Sequence, residues 1–267
     1  MTGSYHCHTT WSDGVVSVAE MVIAAKKAGL DEVGISDHYV LMPGNKTVPW
    51  SMPLEKLSEY VEEIRSIASR QTGIIVRLGL EADYFPETVQ DLKHRLQKFD
   101  FDYIIGSVHF IDHFPVDESS QLWDSQTEQQ RDELWIKYWQ KVKELARSRI
   151  YTFLAHPDLP KRFGHRATRS MQTEENSALD ALKEAGMGLE INTAGWRLPV
   201  KEAYPTMQIL QAARKRDIPL YINADAHGPD MLTYEFPRAR ELASKAGYSA
   251  EDIAGVVPRQ QLPKTAD

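Results

Sequence analysis

Six histidines and several carboxylates of this chain stand directly after short runs of apolar residues. In order they read Tyr5-His6-Cys7-His8, Ser36-Asp37-His38, Gly79-Leu80-Glu81, Ser107-Val108-His109, Ala155-His156-Pro157 and Asn223-Ala224-Asp225-Ala226-His227. Imidazole and carboxylate are the main protein ligands of zinc, iron and manganese. One ion takes about four such groups. A set that returns at one apolar run after another therefore points to several ions, and so to metal-assisted chemistry.

Each motif also has a plainer reading. His6 and His8 share one side of an extended strand, because side chains alternate with period two, and Cys7 faces the other way as a small buried filler. Asp13, in Trp11-Ser12-Asp13-Gly14, also suits an ordinary turn. Asp37-His38 and Asp225-x-His227 set a carboxylate beside an imidazole, as metal sites do and as carboxylates orienting core histidines do. Glu81 ends an apolar strand, where a charge is rarely buried without a partner or a metal. His109 and His156, taken singly, read as hydrogen-bonded core histidines; the joint pattern is what favours ligation. His94 (on a helix, solvated) and His113 and His165 (in loops near the expected site) fall outside the pattern. Arg162 follows His156 in Pro160-Lys161-Arg162-Phe163, and Arg197 ends Ala194-Gly195-Trp196-Arg197, beyond the one strand with no evident metal ligand. Guanidinium forks bind phosphate bidentately.

The elements that must carry these residues alternate regularly. β-type runs rich in Val, Ile and Tyr cover 4–8, 32–36, 75–81, 102–107, 150–155, 188–192 and 219–224. Stretches with apolar spacing near 3.6 lie between and after them, over 18–28, 54–69, 87–98, 128–148, 174–185, 204–216 and 234–246. Ser17 with Glu20 reads as a capping box opening the first helix, and Gly29 closes it. Strands each followed by a helix imply a parallel sheet, and so many in one chain without a linker suggest an α/β barrel in a single domain over 1–267, with its core at about 4–250. Every metal-type residue then falls at a strand C-terminal end, the active-site face of such a barrel. The tail after Ala254, with Pro258 and Pro263, reads as loose.

The 267 residues are 42% hydrophobic, enough for a full core and inconsistent with disorder. No apolar run approaches membrane-spanning length and no signal-peptide pattern opens the chain, so no membrane is expected. A single cysteine excludes an internal disulfide and suits a cytoplasmic protein. The net charge of −7 and the absence of a Lys/Arg stripe disfavour a nucleic-acid polymer as partner.

Taken in order, the motifs resemble the polymerase and histidinol phosphatase (PHP) family, over nearly the whole span from His6 to His227. The resemblance implies a distorted (β/α)7 barrel with three divalent ions (zinc, iron or manganese) at the strand C-terminal ends. It implies His6, His8, Glu81 and Asp225 around one ion, Glu81, His109 and His156 around a second, and Asp13, His38 and His227 around the third. Within the family, Glu190-Ile191-Asn192-Thr193-Ala194-Gly195-x-Arg197 with Tyr204-Pro205, and Val108-His109-Phe110, look most like histidinol-phosphate phosphatases. That likeness implies a small phosphorylated substrate, L-histidinol phosphate in histidine biosynthesis, with Arg162 and Arg197 on its phosphate. It implies ion-assisted attack on phosphorus, Glu81 and Asp225 serving through the ions, and Asp158, His165 or a coordinated water giving a proton to the leaving group. No assembly state follows from it. Other PHP phosphoesterases, acting on small nucleotides or cyclic phosphates, are the nearest alternative. A non-catalytic metal-binding module would be expected to have lost ligands. An amidohydrolase-type C–N hydrolase would carry a bridging lysine where this chain has Gly106-Ser107-Val108-His109.

Overall fold

The computed structural model describes residues 2–254. The expected loose tail lies outside them. In chain order the elements are β1 (Gly3–Ser4), α1 (Val18–Lys27), β2 (Glu32–Ile35), β3 (His38–Tyr39), α2 (Leu57–Arg70), β4 (Ile75–Leu78), β5 (Glu81–Asp83), α3 (Val89–Leu96), β6 (Ile105–Ser107), β7 (Phe110–Ile111), β8 (Phe114–Pro115), α4 (Ser120–Asp124), α5 (Glu128–Arg147), β9 (Phe153–Leu154), α6 (Gln172–Ala185), β10 (Gly188–Asn192), α7 (Met207–Arg214), β11 (Leu220–Asn223) and α8 (Phe236–Lys245).

Local chemistry explains many of the boundaries. The Ser17 hydroxyl accepts from the Glu20 N–H while the Glu20 carboxylate accepts from the Ser17 N–H, a complete capping box. Gly29, at φ +76°, ends the same helix in a conformation that costs glycine nothing. Thr127 and Gln130 repeat the box at the start of α5.

Two parallel sheets form the centre. One has the order β1-β2-β4 and the other β11-β10-β9-β6-β5-β3. The third expected strand, 75–81, is interrupted: β4 pairs in one sheet, the chain shifts at Gly79-Leu80, and β5 pairs in the other. At the end of the expected second strand, 32–36, the chain shifts likewise at Ser36-Asp37, from β2 in one sheet to β3 in the other. The Tyr103 ring lies against Gly34 and Gly79 so closely that a Cβ on either would collide with it. Its hydroxyl donates to Tyr5 O at 2.6 Å, tying the centre of the sheets together. Tyr103 packs there with Tyr5, Ile105, Phe153, Ala155 and Tyr221. Beyond β1 and β11 the chain pairs once more, Cys7 with Ala226 in a parallel bridge. His8 N donates to Ala226 O at 2.8 Å and Ala226 N to His6 O at 3.0 Å. Cys7 is a buried free thiol, the small filler expected.

The helices bury their apolar stripes against the outer side of the sheets, Trp139, Val142 and Leu145 of α5 and Leu179 and Leu182 of α6 among them. The β7–β8 hairpin and α4 were not foreseen; runs of two to five residues carry no readable periodicity. No helix among the described residues is long and apolar enough to cross a membrane.

Candidate metal centre

Parallel pairing sets Glu81, the first residue of β5, beside His38 of β3 on one side and Ile105 of β6 on the other. Glu81 is wholly buried. Its Oε2 lies 2.8 Å from His38 Nδ1, 3.1 Å from His6 Nε2 and 3.4 Å from His8 Nε2. Its Oε1 lies 3.0 Å from His156 Nε2 and 3.7 Å from His109 Nε2, and accepts from the Ser107 hydroxyl. Five imidazoles thus converge on one carboxylate. Asp225 Oδ1 sits 3.2 Å from His8 Nε2 and 3.6 Å from His6 Nε2. Asp13 approaches His227 Nε2 at 3.2 Å and His38 Nε2 at 3.7 Å. The nine residues form four overlapping ligand groups: His8, Asp13, His38 and His227; His6, His8 and Glu81; His6, His156 and Asp225; His38, Glu81 and His109. The grouping differs from the one the resemblance implies. His38 also joins Glu81 and His109, and His156 joins His6 and Asp225.

Three carboxylates brace the cluster; sequence reading offered only Asp37, as a partner of His38, and neither Glu190 nor Asp83. Glu190, buried in the middle of β10, accepts His6 Nδ1 at 2.9 Å, Asn223 Nδ2 at 2.9 Å and the His156 N–H at 2.8 Å. Strand six, which offered no evident ligand, supplies instead the group that aims two of them. Asp83 accepts His109 Nδ1 at 2.7 Å. It stands two residues after Glu81 in one strand, a period-two signal that could have exposed it. Asp37 accepts from the Thr9 N–H at 2.7 Å and from the Ser12 hydroxyl at 2.6 Å, fixing the loop that carries Asp13.

The backbone bends sharply at two ligand-type residues, His156 at φ 24° and Asp225 at φ 52°. Such left-handed positions cost about 1–3 kcal/mol each for a residue with a Cβ, and persist only where the surroundings enforce them. The hydrogen bond from His156 N to Glu190, and that from Arg197 Nη2 to Asp225 O at 2.7 Å, do so.

Electrostatics separate the imidazoles. Burial opposes charge on His6, but Glu190, Glu81 and Asp225 hold its pKa well above the ordinary value. Burial likewise opposes charge on His109, yet Asp83 and then Glu81 raise it to about 10. For His8, burial, then His38 and His227, outweigh the pull of Asp225 and Glu81 and lower it to about 3. Asp13 resists its own burial through His227, His38 and His8 and falls to about 2.

These nine side chains fit a group of cations. His6 Nε2, both nitrogens of His8, His38 Nδ1 and Glu81 Oε2 are buried without a hydrogen-bond partner, although several approach one another at ion-pair distance. Buried lone pairs facing one another are costly unless something positive lies between them.

A cavity of about 340 Å³ opens onto the cluster, lined by Asp13, His38, His109, His156, Asp225 and His227 and, around them, by Trp50, Phe110, Asp117, Glu118 and Arg162. Arg162 Nε and Arg197 Nη1 are buried without hydrogen-bond partners, and burial, the largest influence, lowers the Arg197 pKa. Two neighbouring guanidinium groups with spare N–H groups suit an anion.

Asp158 departs from expectation. It adopts a left-handed backbone at φ 61° and turns away from the cluster, with Oδ2 3.0 Å from Lys161 Nζ and 2.9 Å from the Thr206 N–H. It lines a different cavity. His165 is bonded to Asp124 at 2.8 Å, His94 and His113 are exposed, and none of the three lines the cleft. The acids that do line it beside the ligand-type residues are Asp117 and Glu118, in a loop too short and irregular to be placed from sequence.

A parallel α/β fold whose histidines and carboxylates gather at strand ends defines a class of metal-site hydrolases, and comparison with known proteins narrows it. The model of the PHP domain matches residues 4–194. The chain belongs to the PHP family. It is 37% identical over 243 residues to a Deinococcus radiodurans protein described as "probable histidinol-phosphatase", covering 90% of this chain and 92% of that one. A Schizosaccharomyces pombe protein of the same description is 26% identical over 204 residues, 72% of this chain and 67% of that one. The fold matches the crystal structure of histidinol phosphate phosphatase from Lactococcus lactis, solved with zinc, L-histidinol and phosphate. The TM-score is 0.76 at 21% identity, covering 93% of this chain and 94% of that one.

Proposed function

We propose that this chain is a metal-dependent phosphomonoester hydrolase acting on L-histidinol phosphate. The observation that carries the reading is the convergence of five imidazoles on the buried Glu81 beside two arginines with unpaired N–H groups. The Deinococcus relative, similar over nine-tenths of the chain, supports the substrate. His6, His8, Asp13, His38, Glu81, His109, His156, Asp225 and His227 would hold the ions, three by the family resemblance, of zinc, iron or manganese. We also read the two sheets, linked by the chain shifts at Ser36-Asp37 and Gly79-Leu80 and through the Cys7–Ala226 bridge, as one distorted (β/α)7 barrel domain, at work in the cytoplasm.

Bound divalent ions supply a nucleophile near neutral pH and positive charge opposite the phosphoryl oxygens. The chain's own groups do the rest. Arg162 and Arg197 grip the phosphate through the N–H groups now without partners, and hold it against the strand ends. Glu190 and Asp83 fix the tautomers of His6 and His109, so that each turns Nε2 toward Glu81. Trp50, against His38 and His109 at 4.6 and 5.3 Å, and Phe110 wall the cleft from solvent. Asp117 and Glu118 stand where an acid could protonate the leaving oxygen, the role expected of Asp158, which faces elsewhere.

Purified protein should be assayed for bound metal per chain and for phosphate release from L-histidinol phosphate against other monoesters, small nucleotides and cyclic phosphates. Preferred turnover of histidinol phosphate supports the reading. Comparable rates on every ester would leave a general phosphoesterase, and no hydrolysis by metal-loaded protein would leave a binding module.

A further inference from the structure

A second cavity, of about 510 Å³, is lined by Trp135, Asp158, Arg166, Arg169, Glu175 and Ile209 among others and shares no lining residue with the metal cleft. Its wall holds two buried polar atoms of opposite kind without partners. Asp158 is 2% exposed, and while Oδ2 is engaged by Lys161 and Thr206, Oδ1 accepts nothing. Trp135 is 5% exposed, and its indole N–H donates to nothing. Native proteins rarely leave such atoms unsatisfied without water or a ligand.

Charges of both signs surround them. Glu175 is half-buried, with no positive side chain bonded to it among the described residues; burial first, and Asp158 next, push its carboxyl up to about 7. Arg166 gives one N–H to Glu202 at 2.8 Å, and Arg169 bonds Glu174. Each guanidinium carries five N–H donors, so both have donors to spare. The first turn of α6 (Gln172–Ala185) opens here with no side-chain bond from its cap residue Met171, though the Gln172 N–H donates to the Ser170 hydroxyl at 3.3 Å and Glu174 and Glu175 lie in that turn. Between the charges lie Met171, Ile209 and Ala212.

We propose that this cavity binds a small zwitterion, an aliphatic α-amino acid, with its ammonium at Asp158 and Glu175, its carboxylate at Arg166, Arg169 and the Trp135 N–H, and its side chain against Met171 and Ile209. A simple amine would leave the arginines unused, and a simple acid would meet Asp158 and Glu175. The site is separate from the phosphatase reading and stands or falls without it.

The test is calorimetric titration of L-leucine into the metal-loaded full chain, with inorganic phosphate present to occupy the active cleft and keep the amino acid from the ions. One saturable site is expected. Glu175→Gln and Arg166→Gln, each confirmed as folded by its melting temperature, should weaken it about tenfold, the value of one charge-assisted hydrogen bond. Isoamylamine and 4-methylvalerate should bind about tenfold more weakly than leucine, each lacking one charge. Hydrolysis measured without leucine should be unchanged in both variants. No saturation at millimolar leucine would mean that the cavity holds water only and would overturn the proposal. So would an amine or acid that binds as tightly as leucine, or leucine binding unaltered in both variants.

Discussion

Glu190 Oε1 accepts the Nδ1–H of His6 at 2.9 Å, and this one bond turns His6 Nε2 to within 3.1 Å of Glu81. Both carboxylates and the ring are fully buried. A strand that carries none of the nine ligand-type residues thus sets the aim of one on another strand. Glu190→Gln keeps the shape and removes the charge that raises the His6 pKa. Metal affinity should fall about 10–100-fold, as when an orienting partner of a ligating histidine is lost. Metal content after dialysis against graded chelator reads this directly. Unchanged retention would mean that Glu190 only packs the strand.

Arg162 and Arg197 should act on substrate and not on metal. Replacing Arg197 by Ala removes an N–H group that has no protein partner, so KM for phosphate esters should rise about tenfold or more, given 1.5–3 kcal/mol for a charged hydrogen bond. Metal per chain should stay near wild type. If metal is lost instead, the Arg197 bond to Asp225 O is the important one and the phosphate role is wrong.

Chelation should lower stability as well as activity. Without cations the cluster keeps buried nitrogens and a carboxylate oxygen unpaired, and bound ions add RT ln(1 + [L]/Kd) to the folded state. A melting curve taken with and without EDTA should shift down, and recover on adding zinc or manganese. An unchanged midpoint would argue against a metal centre built from these residues.

Glu175 gives a pH dependence of defined sign. Its folded pKa is raised from 4.5 to about 7, so between those values the unfolded chain ionises while the folded one keeps its proton. The folded state then binds more protons, and its stability falls as pH rises through that window and levels off above it. Glu175→Gln removes the term. The variant should gain melting temperature relative to wild type as pH goes from 5 to 8, with little difference at 5. A constant offset across that range would show that Glu175 titrates normally.

The contact of Tyr103 with Gly79 predicts an intolerant position. Gly79→Ala drives a methyl into the ring that holds the sheet centre. Overpacking of this kind costs about 1–3 kcal/mol, read as a lower denaturation midpoint. Gly44→Ala, at φ +76° with open space around it, separates the effect of collision from that of backbone conformation alone.

Much of this was legible in the chain. Ser17 and Glu20 announce α1, and β10 (Gly188–Asn192) coincides with its predicted span, because caps and apolar periodicity are local properties. The break within the expected third strand, at Gly79-Leu80, was not legible, since the ring that Gly79 makes room for, Tyr103, lies elsewhere in the chain. Residue type and strand-end position also pointed to eight of the nine residues that the fold gathers into one cluster; the ninth, Asp13, lies in a loop and came from the family resemblance.

Sequence alone determined which side chains could carry the chemistry, because ligand chemistry belongs to residue type and strand-end position follows from pattern. Tertiary structure decided their relations: that Glu190 and Asp83 aim the imidazoles, that Asp158 faces a second cavity through a left-handed turn, and that Asp117 stands in the cleft in its place. Those are facts of direction between segments distant in sequence, and only packing and long-range hydrogen bonds fix direction.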